Sequence, residues 1–417
     1  MYKKRYWIVV LTIIITLSGV GQAADIEAEL SGLINPVLDQ GQLGIYIKSL
    51  NEDKILYQYN SESPLVPASN EKLVTTIGAY YLIGPDYRYE TELYKDKKPV
   101  KVDDYYFGNL ALRGHGDPMF KYTNLIQMFR ESFLKDKTEF RGNLYIDDTF
   151  FDEIRYGTDW SYDSAKEIGA IIFRDSSLSS IGDEPDTVPI NVGRTVNMIF
   201  QGLGIKQQGR TITDRAIPDN MELFATYQSA PLIDIMKFCN KASDNSIAEQ
   251  IFKTISAIRL GQGSFQGSEL VLKEFYAGIL GLNPGKYNLN DGSGLSHGNR
   301  IPPVYLGKML EYTAYHPYRD KDISVEESLE LIVKQKHPYI NTLAEAGGEG
   351  TLNSRMNGAR VYAKTGTLNG VDALSGYVVT KSDKVVVFSI LVNDFTITRW
   401  ELRQWEDKLV SYIYNNY

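Results

Sequence analysis

Ser69 and Lys72 stand three residues apart in the run PASNEKL (67–73), so on a helix their side chains share one face within a single turn. That spacing can make a nucleophile and its base. A serine hydroxyl attacks well only once a base takes its proton, and an amine can do this if burial or a neighbouring cation lowers its pKa. The helix N-terminus adds favourable potential for a developing oxyanion, with the Ser69 N–H as one donor. Ser132 and Lys135 repeat the spacing inside the charged run FRESFLKDK, so the pair alone is weak evidence.

Two further motifs add weight: Ser243-Asp244-Asn245 and Lys364-Thr365-Gly366. A hydroxyl at Ser243 can shuttle a proton to a leaving amine, and the Asn245 amide can hold both Lys72 and a substrate carbonyl. Lys364 offers a cation for a substrate carboxylate, and Gly366 lets an extended peptide approach the backbone as an added strand. The Thr367 N–H can complete an oxyanion hole with that of Ser69. Each motif alone has an ordinary reading, Ser243 and Asn245 as a helix cap and Lys364 as a solvated strand end. The ordinary readings do not explain all three in this order, each in the kind of element its role requires.

The elements that must position these residues are legible. GIYIKSLNEDKILYQYN (44–60) is a hairpin around Asn51-Glu52-Asp53. Apolar Leu73, Val74, Ile77, Tyr80 and Tyr81 then predict a helix that starts at Ser69 and stops at Gly84. PLIDIMKFCNKASDNSIAEQIFKTISAI, from residue 231, reads as two helices with the second motif in the polar break. Lys364 sits on a β run, the following segment is a meander turning at Lys381–Lys384, and a helix closes the chain near 399–415. Between about 91 and 227 the composition shifts to short β-like runs broken by Gly, Asp and Asn, which predicts an inserted β-rich unit. It supplies none of the three motifs, so the expectation is that it serves substrate access or docking and not the chemistry.

The 417 residues, 43% hydrophobic and 23% charged, exclude a disordered chain or a membrane bundle. Lys3, Lys4 and Arg5, an apolar run from Trp7 to about Val20, and small residues at Gly21, Ala23 and Ala24 make the three-part pattern of a secretory signal. Cleavage after Ala23 or Ala24 is expected to release an exported, periplasmic or extracytoplasmic protein without a transmembrane anchor. Without residues 1–23 the chain carries 41 basic side chains against 52 acidic, a net of −11 that argues against a nucleic-acid partner. Cys239, the single cysteine, cannot form an internal disulfide, and with His115, His297, His316 and His337 it leaves little material for a zinc site. No cofactor or metal is expected.

The three motifs, with the longer runs PASNEKL, NKASDNSIAEQ, DGSGLSHGNRI, AGGEGTL and AKTGTLNGVDALSGY, resemble the class C low-molecular-mass penicillin-binding proteins. These are the serine D-alanyl-D-alanine carboxypeptidases and endopeptidases of the bacterial cell wall. LALRGHGDP and GNLYIDDTFFD resemble that family's inserted domain, whereas residues 160–187 depart from its pattern. The resemblance implies an α/β fold with a five-stranded antiparallel sheet flanked by helices. Residues 24–90 and 228–417 would form the discontinuous catalytic domain and 91–227 the inserted one. By position, Ser69 would be the acylated nucleophile, Lys72 its base, Ser243 and Asn245 the second element, and Lys364, Thr365, Gly366 and Thr367 the substrate-binding strand. Peptidoglycan stem peptides would be substrates and β-lactams inhibitors.

The rivals are a β-lactamase or esterase of the same fold and a non-catalytic wall-binding protein. Glu349-Gly-Thr-Leu352-Asn353 spells a deacylating-loop pattern, but it falls just before Lys364. A binding module has no need of the Ser69–Lys72 pair. A metallopeptidase would rest on His115-Gly-Asp117, which lacks a second histidine at i+4.

Overall fold

The computed structural model describes residues 17–131, 139–160, 167–174, 187–213 and 216–417. The chain opens with α1 (Leu17–Ile34), the hairpin of β1 (Gln42–Ser49) and β2 (Lys54–Tyr59), and α2 (Glu71–Leu82). There follow β3 (Glu90–Asp96), β4 (Val100–Val102), β5 (Tyr105–Phe107), β6 (Leu110–Gly114), α3 (Tyr122–Arg130), β7 (Glu139–Arg141) and β8 (Leu144–Asp147). Next come α4 (Thr187–Gly202), β9 (Lys206–Gln208), β10 (Thr211–Thr213) and β11 (Met221–Gln228). The remainder comprises α5 (Leu232–Ala242), α6 (Asn245–Leu260), α7 (Phe265–Leu280), α8 (Pro303–Tyr315) and α9 (Val325–Val333). It ends with β12 (Ala344–Glu345), β13 (Arg360–Leu368), β14 (Val371–Val379), β15 (Val385–Asn393) and α10 (Arg399–Asn416). The predicted signal up to residue 16 lies outside the described residues, and the expected cleavage point falls within α1. Ser132 and Lys135, with 161–166 and 175–186 of the divergent stretch, also lie outside them.

One antiparallel sheet runs β12-β13-β14-β15-β1-β2. It has six strands where five were expected. The sixth, β12, contributes only Ala344 opposite Ala363 and Glu345 opposite Tyr362, a run too short to show any period in the sequence. β1 pairs with β15, Ile45 opposite Ile390, which joins the first strand of the chain to the last within one sheet.

Both sheet faces are covered. Alternate residues Ile45, Ile47, Leu374, Val378, Phe388 and Ile390 pack under α1 and α10, while Tyr46, Ala373, Tyr377, Val387 and Leu391 pack under the helices on the other side. β14 and β15 are therefore buried along their whole length, and the sequence of β15 reads as a nearly unbroken apolar run. Ile26, Leu30 and Ile34, four apart, are the buried stripe of α1, and Trp405 Nε1 of α10 donates to the Leu33 carbonyl at 2.9 Å. Each such apolar side chain contributes about 1.5–3 kcal/mol on burial.

β3 and β11 pair antiparallel, Thr91 opposite Tyr227, so the outgoing and returning chains lie side by side. Both strands belong to a five-stranded sheet (β10-β8-β6-β3-β11), and the chain between them also forms a four-stranded one (β4-β5-β7-β9). Leu93, Leu112, Phe129, Phe140, Ile146 and Phe200 belong to one apolar core there. With α3 and α4 this stretch is more helical than its composition predicted.

Among the described residues no helix is long and apolar enough to cross a membrane.

Candidate active site

Ser69 lies in a short 3₁₀ turn, Ala68–Asn70, that runs directly into α2. Ala68 holds φ +45°, an unusual value for a residue with a Cβ. Two glycines close on this turn. A Cβ on Gly366 of β13 would lie 2.8 Å from the Pro67 carbonyl and 3.1 Å from the Ser69 nitrogen. One on Gly294, at φ +86°, would lie 1.8 Å from the Ala68 carbonyl. Close backbone approach on both sides requires the missing side chains.

One turn along α2, Lys72 is fully buried. Its Nζ donates to Ser69 Oγ at 3.0 Å, Asn245 Oδ1 at 2.7 Å and the Ser293 carbonyl at 2.7 Å. Burial pushes the amine below the ordinary lysine range, against the opposing pull of nearby thiol and carboxyl groups. The same burial pushes Glu249 up to about 8 and Glu71 well above the usual carboxyl range.

The second motif occupies the break between α5 and α6. Ser243 ends α5 at φ +56°, and Asp244 caps α6 through Oδ1, which accepts from Ile247 N at 3.0 Å. Because Asp244 does the capping, the side chains on either side of it are available to the lysines. Asn245 meets Lys72, and Ser243 Oγ accepts from Lys364 Nζ at 2.8 Å. The ordinary reading of Ser243 and Asn245 as the cap is thereby replaced.

Lys364 is fully buried, not a solvated strand end, and also donates to the Thr365 carbonyl at 2.8 Å. Burial first, and Lys72 second, hold its amine well below the usual range. Thr365 and Thr367 alternate onto the more open face of β13, where Thr365 Oγ1 donates to Thr351 Oγ1 and Thr367 Oγ1 accepts from Arg403 Nη2. β12 pairs with β13 only as far as Ala363, so the edge from Lys364 onward can accept an extended peptide.

Several residues at this centre were not marked by sequence reasoning. Glu249 of α6 accepts from Gly292 N and Ser293 N at 2.9 and 2.8 Å, which fixes the carbonyl that holds Lys72. Fully buried Asp291 accepts from Gly294 N, Ser296 N, Asn299 Nδ2 and Trp160 Nε1. The polar run DGSG was the available signal, but only contacts show which group it serves. Trp160 and Arg174, whose Nη2 lies 3.0 Å from Asp244 Oδ2, come from the stretch expected to stand apart from the chemistry. Two of its side chains instead touch turns of the centre.

The other candidates lie elsewhere. Glu349 is an exposed partner of Lys241 at 3.1 Å. His115 packs edge-on against Phe150, with Nδ1 3.1 Å from the Glu90 carbonyl, and Asp117 Oδ1 accepts from Met119 N.

The family model for D-Ala-D-Ala carboxypeptidase 3 (S13) matches residues 23–172 and 185–415. A D-alanyl-D-alanine carboxypeptidase of Actinomadura sp. is 26% identical over 450 aligned positions, covering 88% of this chain and 80% of the relative. The D-alanyl-D-alanine carboxypeptidase DacB of Haemophilus influenzae is 23% identical, with 93% of each chain covered. Among solved structures, penicillin-binding protein 4 of H. influenzae superposes with a TM-score of 0.80 at 21% identity, over 93% of this chain and 99% of that one. A predatory peptidoglycan endopeptidase of Bdellovibrio bacteriovorus gives 0.59 at 18% identity, over 89% of this chain and 92% of its own. At these identities the structural likenesses establish the fold.

Proposed function

Because the chain belongs to the D-Ala-D-Ala carboxypeptidase 3 (S13) family, we propose that it hydrolyses D-Ala-D-Ala stem peptides of peptidoglycan through an acyl-enzyme on Ser69. It acts as a carboxypeptidase, an endopeptidase or both, and β-lactams acylate the same serine. The observation that carries the reading is Lys72 Nζ at 3.0 Å from Ser69 Oγ, buried and tethered to Asn245.

In this mechanism Lys72, its amine neutral, takes the Ser69 proton as Oγ attacks the carbonyl carbon of the penultimate D-Ala. Negative charge develops on the carbonyl oxygen, which the N–H groups of Ser69 and Thr367 receive. The scissile C–N bond breaks as the proton that Lys72 took from Ser69 reaches the leaving amine through the Ser243 hydroxyl, which lies beside Lys364, so Lys72 is neutral again. Water then attacks the ester carbonyl as the neutral Lys72 takes one of its protons, and Lys72 returns that proton to Ser69 Oγ as the ester C–O bond breaks. The substrate lies as an added strand along β13, its terminal carboxylate toward Lys364, Thr365 and Thr367. Gly366 leaves the backbone accessible.

Residues 24–90 and 228–417 form the catalytic domain in this reading, with 91–227 inserted in it and 1–23 an export signal. The antiparallel pairing of β3 with β11 supports the boundaries of the insert.

Incubation of the purified protein with a stem pentapeptide and with a crosslinked muropeptide tests the function by mass spectrometry of the products. Release of D-Ala or cleavage of the crosslink is expected, and neither with Ser69→Ala. Fast turnover of benzylpenicillin with no peptide cleavage would favour a β-lactamase instead.

A further inference from the structure

The described residues 150–160 and 167–174 are fastened to α6 at several points. Asp152 Oδ1 accepts from the buried Lys253 Nζ at 2.6 Å, and the Gly169 carbonyl accepts from Gln250 Nε2 at 2.9 Å. At the head of the helix Arg174 Nη2 reaches Asp244 Oδ2, while the Arg174 guanidinium lies 4.6 Å from the centre of the Phe238 ring. Arg174 is itself anchored, its N–H donating to the Phe120 carbonyl at 2.8 Å. Next to this gripped side, Asn245 and Glu249, one helical turn apart, serve the chemistry: Asn245 holds Lys72, and Glu249 holds the Gly292–Ser293 turn. Trp160 reaches the adjoining turn from the same stretch, with Nε1 2.8 Å from Asp291 Oδ2 and its ring edge-on to Phe265.

The backbone of the Ser243–Asn245 turn is tied to both helices, with Asp244 N donating to the Cys239 carbonyl and the Asp244 carbonyl accepting from Ala248 N, which leaves its side chains to be oriented by their own contacts. Ser243 sits in left-handed backbone, and of the two Asp244 carboxylate oxygens one caps α6 while the other accepts from Arg174. A charge-assisted bond at that second oxygen fixes the orientation of the carboxylate, and with it the residues on both sides that meet the two lysines. A misplacement of about 1 Å at a reacting group can cost up to roughly a hundred-fold in rate.

We propose that Arg174 is a positioning residue for acylation, acting through Asp244 to hold Ser243 and Asn245 against Lys364 and Lys72, so that the inserted unit completes the centre it flanks. This rests on the acyl-enzyme reading above. The test is the second-order rate of acylation by benzylpenicillin, a ligand small enough to report on the centre and not on wall docking, with the thermal midpoint recorded for each protein. Arg174→Ala is expected to lower the rate roughly ten-fold, with Arg174→Lys recovering part of the loss. On an Asp244→Asn background Arg174→Ala should add little, because the contact is already weakened. Should Arg174→Ala fail to fold, Arg174→Gln and Arg174→Lys carry the same comparison. Wild-type acylation matched by the Arg174 variants would overturn the inference, as would equal losses on both Asp244 backgrounds. No adduct on the wild type would instead overturn the functional reading.

Discussion

Lys364 Nζ lies 2.8 Å from Ser243 Oγ. It mirrors the 3.0 Å contact between Lys72 and Ser69, so the centre holds two serine–lysine pairs. Both lysines are fully buried, and burial lowers both amines; for Lys364 the neighbouring Lys72 adds to the effect. Two ammonium groups would repel across this dry space, so the resting centre favours the loss of at least one proton. That state suits a base at Lys72.

Benzylpenicillin should form one adduct, on Ser69. Intact mass followed by peptide mapping checks this, and a label on Ser132 would refute the assignment. Lys72→Arg keeps a cation but cannot serve as a base, so acylation should fall by about 10²–10⁴-fold. In the wild type the rate should rise with pH through a Lys72 titration below the ordinary lysine range, since the base must first lose its proton.

Lys364 should govern the preference for a free terminal carboxylate. Its amine is held toward the neutral form, so binding a carboxylate beside it takes up a proton, and acid substrates should lose their advantage over amides as pH rises. Lys364→Ala should lower acylation by the free acid by about ten- to a hundred-fold and by the amide much less. Equal losses for both would leave Lys364 a structural residue.

Gly366→Ala places a methyl 2.8 Å from the Pro67 carbonyl, so β13 or the Ser69 turn must shift. Acylation should drop at least ten-fold, by the same reasoning that makes a small misplacement costly. An unchanged rate would show that the strand and the nucleophile turn are not closely registered.

His337 is buried, with Nε2 3.0 Å from the Thr313 carbonyl and Nδ1 accepting from Ile340 N at 3.2 Å. Burial pushes it down to about 4 from the ordinary 6.5. Unfolded chains take up the proton first, so the stability from its neutral burial is complete above 6.5 and lost as pH falls toward 4, about 3 kcal/mol in all. Glu249, pushed up to about 8, acts in the opposite sense, its contribution present at low pH and lost as pH rises through 8. Urea midpoints at pH 7 and pH 4.5 should show the acid loss shrinking in His337→Gln. A wild-type slope retained in that variant would rule His337 out as its source.

The sequence by itself carried the elements and the motif residues. Two β-rich runs around a polar turn marked the first hairpin, the 3.6-residue period marked α2, and β-like runs on either side of the Lys381–Lys384 turn marked β14 and β15, because these patterns are local consequences of backbone geometry. Ser69, Lys72, Ser243, Asn245 and Lys364 were recognisable since their chemistry depends on residue type and on spacing within one element. What the tertiary structure decided was proximity between elements distant along the chain. Glu249 looked like any other helix carboxylate until its contacts with Gly292 and Ser293 appeared. Arg174 and Trp160 belonged to a stretch with no motif, yet they end at Asp244 and Asp291. β12 has only two residues, and its pairing depends wholly on the strand beside it. The charge states of Lys72 and Lys364 likewise follow from burial, a property of the packed molecule that spacing along a chain does not encode.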